Sequence, residues 1–134
     1  MGARRSSSRG AAASLAAEPS SVSAARQLLV QVLDAADVRG DARSNALLVA
    51  SELVANAISH GSRSGDEIDV EFALQPHLVR MRVRDPIRGS TTPLALTPNE
   101  DRPAGRGLQI VERVAEWSER VINGRREVQA EISF

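Results

Sequence analysis

At 134 residues with 17 acidic and 17 basic side chains, the chain has the size of one domain with a core of its own and no net charge for holding nucleic acid or a membrane surface by bulk electrostatics. It has no cysteine, which excludes disulfides and thiolate metal sites and suits a cytoplasmic location. Every basic side chain is arginine, which excludes catalytic and phosphate-binding lysines together.

The first ten residues, Met1 to Gly10, are basic and polar and read as a disordered arm. The weakly hydrophobic stretch Ala11 to Ala17 is cut off by Glu18-Pro19. It reads as a short edge strand opening a single domain over 11–134, not as the apolar heart of a signal peptide. No run approaches the ~20 apolar residues that span a bilayer. Pro19-Ser20-Ser21 is a helix-entry signal with serine available as N-cap. Val22, Ala25, Leu29, Val32, Leu33 and Ala36 then recur at helical spacing until Gly40-Asp41 breaks the pattern. A second helix is predicted from about Ala42 to His60, with Ala46, Val49, Ala50, Leu53, Val54 and Ala57 inward and Gly61 as its C′ residue.

Ile68, Val70, Phe72 and Leu74 alternate with polar residues, as do Val79, Met81 and Val83 with Arg80, Arg82 and Arg84. Around the turn Gln75-Pro76-His77 they predict an antiparallel hairpin. The arginine stripe faces either solvent or a partner. Residues 86–104 hold four prolines and several threonines and read as a long loop, either disordered or functional. Gly105-Arg106-Gly107 opens a third helix with Leu108, Val111, Val114 and Ala115 inward, and Trp117 as a core residue at its end. Asn123-Gly124 is a type I′ hairpin signal, after which Val128, Ala130, Ile132 and Phe134 alternate. The element order predicts an α+β two-layer sandwich: a mixed, mostly antiparallel sheet with about three helices on one face.

Three groups of residues carry chemistry. On the second helix, Glu52, Asn56 and His60 share one stripe at i, i+4 and i+8. The Asn56 amide can coordinate Mg²⁺, a hard cation, and Glu52 can orient or deprotonate a hydroxyl or water. A solvated helix face would show the same spacing. His60 suits a structural hydrogen bond, and His77 an exposed turn. Asp85 has the strand parity of Val79, Met81 and Val83, so its carboxylate points inward and needs a donor, such as the exocyclic amine of adenine. Alternatively it caps the turn before Pro86 in solvent. The Gly105–Leu108 turn at a helix start offers backbone N–H groups and a dipole to an anion, with Arg106 adding charge; a flexible loop exit with a surface arginine would read the same way.

"ELVANAISHG" resembles the N-box of the GHKL ATPases, "VRDPIRG" a degraded first glycine box, and "GRGLQIV" the second glycine box. With "EPSSVSAARQLL" resembling the first helix, the likeness covers nearly the whole chain and is closest to the anti-sigma-factor serine/threonine kinases of bacterial partner-switching systems. It implies a Bergerat ATP-binding fold with ATP and Mg²⁺ as cofactors. Asn56 would be the Mg²⁺ ligand, Glu52 the catalytic base and Asp85 the adenine acceptor. Gly89, Gly105, Arg106, Gly107 and Leu108 would frame a lid over about 86–104 and the phosphates. It also implies two partners: a sigma factor that is held, and an anti-anti-sigma (STAS-type) protein that is phosphorylated and, when unphosphorylated, releases it. A homodimer is a further family expectation. Nothing points to direct nucleic-acid or membrane binding. The departure is Asp85-Pro86-Ile87-Arg88-Gly89, where a β-branched Ile87 stands in place of the first glycine of D-x-G-x-G. The alternative is therefore an ATP-binding fold that regulates by contact without transferring phosphate.

Overall fold

The computed structural model describes residues 4–7, 10–60, 65–86 and 113–134. In chain order they form β1 (Arg4–Ser7), β2 (Gly10–Ala16), α1 (Ser20–Ala35), α2 (Gly40–His60), β3 (Glu67–Gln75), β4 (Leu78–Pro86), β5 (Glu116–Ile122) and β6 (Arg125–Ser133). The strands make one six-stranded sheet in the order β1-β2-β3-β4-β6-β5, and every pairing is antiparallel. The predicted α+β sandwich is thus observed, with two corrections. The described sheet has no parallel pair. The described residues hold two helices on its inner face, plus a helical remnant at Arg113–Val114; the rest of the expected third helix lies outside the described residues. Trp117 sits within β5, half-buried, and not at a helix end. Arg4–Ser7, expected in an arm without regular structure, pair with β2, so β2 is flanked on both sides rather than lying at the edge.

Local chemistry explains the boundaries. Pro19, with its preset φ, stands immediately before α1 without any side-chain capping bond. The expected serine cap is not used: Ser21 Oγ instead donates to the carbonyl of Ala16. Asp37, in the left-handed region at φ 56°, stops α1, and Gly40 at φ 68° starts α2. Asn123 and Gly124 both have positive φ (52° and 75°), as the two-residue type I′ turn between β5 and β6 requires.

The apolar parity of the strands faces the helices. Ala11, Phe72, Met81, Ala130 and Trp117 form one continuous row across β2, β3, β4, β6 and β5. Above it α1 contributes Ala25, Leu28, Leu29, Val32 and Leu33, and α2 contributes Ala46, Val49, Ala50, Leu53, Val54 and Ala57, all buried. Each large side chain so buried contributes about 1.5–3 kcal/mol.

The opposite face is a charge lattice. The row Ser14, Asp69, Arg84, Glu127, Arg120 alternates donors and acceptors across five strands. Ser14 Oγ donates to Asp69 at 2.7 Å, Arg84 meets Glu127 at 2.7 Å and Arg120 meets it at 2.9 Å. In the next rows Arg82 bonds Gln129 at 2.7 Å and Arg80 pairs with Glu131 at 2.7 Å. The arginines of β4 are therefore neutralised by acids on β3 and β6, as cross-strand pairing favours. They are not a bare stripe.

Candidate functional site

The connections of α2, β3, β4 and β6 place the predicted chemistry at one end of the sheet. The C-terminal end of α2 leads into β3, whose start pairs with the end of β4 (Asp69 opposite Arg84). The end of β4 in turn pairs with the start of β6 (Asp85 opposite Arg126). α2 packs on β3, β4 and β6.

Glu52 and Asn56 lie one turn apart on α2 because four residues nearly complete a helical turn. Both turn away from solvent: Asn56 is buried at 3% exposure and Glu52 is half-buried. Burial pushes the Glu52 carboxyl above its ordinary 4.5, which makes it a better proton acceptor near neutrality. The Asn56 Nδ2 has no hydrogen-bond partner among the described residues. Since an amide can present either end by a flip, this side chain is an unmet polar group suited to a phosphate oxygen or, through Oδ1, to a hard cation.

Asp85 is the penultimate residue of β4 and, as strand parity predicts, it faces the helix side at 1% exposure. The turn-capping alternative in solvent is excluded. Burial pushes its carboxyl up to about 6, against the opposing pull of Arg126 and Arg125 and with help from Glu119 and Asp66. Neither carboxylate oxygen has a hydrogen-bond partner among the described residues. A buried acceptor left unmet costs about 1–3 kcal/mol, so this arrangement suits a site completed by a donor from outside the chain, such as a base amine.

Arg126 and its partner Glu119 have no role in the sequence reading. Arg126, on the helix-facing parity of Val128, Ala130 and Ile132, is buried at 6% exposure. Its Nε lies 3.4 Å from Glu119 on β5. The signal was available: counting two residues past the Asn123-Gly124 turn gives Arg126 the inward parity. Gly89, Gly105, Arg106, Gly107, Leu108 and the His60 side chain, which complete the expected lid, phosphate turn and stripe, lie outside the described residues. His77 is exposed in its turn as expected. Among the described residues no helix is long and apolar enough to cross a membrane.

Residues 15–130 match the histidine kinase-like ATPase domain. No curated protein matches the chain. The chain belongs to the histidine kinase-like ATPase domain family, within the GHKL-type superfamily that its N-box and second glycine box resemble, and this membership implies ATP binding. The donor set fits: a buried, unpaired acceptor on Asp85 suits an adenine amine, and Asn56 and Glu52 stand on the helix that carries the N-box.

Proposed function

We propose that this ATPase-family protein is an ATP-dependent serine/threonine kinase of the anti-sigma type, which holds a sigma factor and phosphorylates its anti-anti-sigma antagonist. The observation that carries the reading is a buried Asp85 carboxylate without a partner among the described residues, together with a half-buried Glu52 whose basicity is raised, one turn before an Asn56 whose amide nitrogen is likewise unmet among them.

In this reading Asp85 accepts a hydrogen bond from the base and fixes its orientation. Asn56 would hold Mg²⁺ through its amide oxygen, a hard ligand of the kind this cation prefers. ATP supplies the phosphoryl group and Mg²⁺ neutralises its charge. Glu52 orients the acceptor hydroxyl and takes its proton. With no lysine in the chain, the phosphates depend on the metal, on arginine such as Arg106, and on backbone N–H groups of the Gly105–Leu108 turn.

The test is incubation of the protein with labelled Mg-ATP and the STAS-type antagonist from its own cell. Label should pass to a serine or threonine of the antagonist, and Glu52→Ala should abolish transfer while leaving ATP binding largely intact. Full transfer by that variant would remove Glu52 from its role. Ile87 in the first glycine box favours a second reading, control of a partner by contact without phosphate transfer. Calorimetry separates the two: no heat of binding at millimolar Mg-ATP would eliminate the kinase.

A further inference from the structure

Asp85 and Arg126 stand directly opposite each other on the inner face of β4 and β6, where facing side chains start about 4.5–5.5 Å apart. Both are nearly wholly buried, at 1% and 6% exposure. A buried aspartate facing a buried arginine would ordinarily form an ion pair with it. Here the Asp85 oxygens have no hydrogen-bond partner among the described residues, and Arg126 turns to Glu119, its diagonal neighbour on β5, with Nε 3.4 Å from Oε1. Glu119 is half-buried, its side chain 12% exposed. The other cation acting on Asp85, Arg125, is likewise engaged elsewhere, with Asp69 at 2.7 Å.

We propose that Glu119 and Arg126 are positioning residues for nucleotide recognition: Glu119 holds the Arg126 guanidinium off Asp85, which keeps the Asp85 carboxylate open to accept the amine of the base. This rests on the ATP-binding reading of the same site and adds residues from β5 and β6 to it. The reason is competition. An unrestrained guanidinium beside an unpaired buried carboxylate would close on it, since an uncompensated buried charge is costly. A closed Asp85–Arg126 pair would then have to be broken before the base could bind, which lowers apparent affinity by the closed fraction. Burial pushes the Asp85 carboxyl up, and Arg126 held by Glu119 still pulls against that push at a distance without occupying the carboxylate.

The experiment compares wild type, E119Q, R126M and E119Q/R126M at pH 8, where Asp85 is ionised, by calorimetry with Mg-ATP and by carbon-13 NMR titration of the Asp85 carboxyl in nucleotide-free protein. E119Q should bind Mg-ATP about tenfold more weakly, and its Asp85 should titrate lower than in wild type by more than loss of the Glu119 charge alone brings, which E119Q/R126M against R126M measures, because Arg126 now pairs with it. Removing the competitor should rescue binding: E119Q/R126M should match R126M within about threefold. An E119Q protein with unchanged affinity and unchanged Asp85 titration overturns the proposal, as does a double variant no better than E119Q. Should E119Q not fold, R126M against E119A/R126M carries the comparison, with equal affinities expected and unequal ones contrary. Wild type that binds no Mg-ATP overturns the nucleotide reading, while an Asp85 titration lowered more by E119Q than by the same change in the R126M background would still establish the restraint itself.

Discussion

Replacing Asp85 by asparagine should stabilise the free protein at neutral pH while destroying nucleotide binding. Burial pushes the Asp85 carboxyl up to about 6 from its ordinary 3.8, so the folded state holds the proton more tightly than the unfolded chain does. For an acid raised in this way the ionised form works against folding. The penalty is absent below 3.8, grows as pH rises, and is complete above about 6. At pH 8 it amounts to about 3 kcal/mol, and at pH 4.5 to about 1 kcal/mol. Asp85→Asn removes this charge at the same volume, although its amide still lacks partners, which returns about 1–2 kcal/mol of the gain at every pH. The advantage of the variant should therefore be about 2 kcal/mol greater at pH 8 than at pH 4.5, or about 8 °C in Tm. Thermal melts at the two pH values, followed by circular dichroism, read this difference. In the same assay Mg-ATP at a hundred times its Kd should raise the wild-type stability by about 2.7 kcal/mol and leave the variant unmoved. A variant whose stability relative to wild type is the same at both pH values, or one still stabilised by ATP, would refute the account of Asp85 as a buried, unpaired base acceptor.

Glu52→Ala should leave the calorimetric Kd for Mg-ATP within about threefold and remove phosphate transfer, because the carboxylate acts on the acceptor hydroxyl and not on the base. On the outer face, burial raises the Glu127 carboxyl but the hydrogen bonds from Arg84 and Arg120 prevail and hold it below 4.5. Its contribution is present above 4.5 and lost as pH falls below that value, and Glu127→Gln should cost about 1–3 kcal/mol at pH 7 in urea unfolding by stranding both arginines. A Cβ added at Gly10 would stand 2.7 Å from the Phe72 carbonyl oxygen, so Gly10→Ala should cost about 1–3 kcal/mol and speed hydrogen exchange of the β2–β3 amides. Unchanged exchange there would mean that the two strands do not approach so closely.

Most of the fold was legible because periodicity is a direct record of burial. The alternations at Ile68–Leu74 and Val79–Val83 and the Asn123-Gly124 turn mark four strands in two hairpins, and the 3.6-residue recurrence of Ala25, Leu29 and Val32 marks α1. Strand parity alone put Asp85 inside, and it is inside. What was not legible depends on partners distant in sequence. That Arg80, Arg82 and Arg84 are neutralised follows from acids 43 to 51 positions further on in β6 for two of them, and only the register brings these together. Trp117 was assigned to a helix end because apolar residues before it continue a helical pattern; its pairing opposite Ala130 placed it in β5. Arg126 was passed over for a related reason, since a buried arginine reads as a surface residue until the carboxylates on either side of it are known.

The two faces of the sheet show why function collects where it does. On the outer face the buried Glu127 is met by Arg84 and Arg120, and Asp69 by Ser14 and Arg125. That satisfaction stabilises the sheet and leaves those groups little to offer a ligand. On the inner face the polar side chains cluster at the end shared by α2, β4 and β6, and there the rule is broken. Among the described residues Asp85 faces a buried cation and remains unpaired, and Asn56 keeps an unmet amide. The folded chain could relieve Asp85 by a small rotation of Arg126, and the ion pair with Glu119 opposes that rotation. Stability is thereby sacrificed at one point, and it is the point at which the proposed function puts the acceptor for the base.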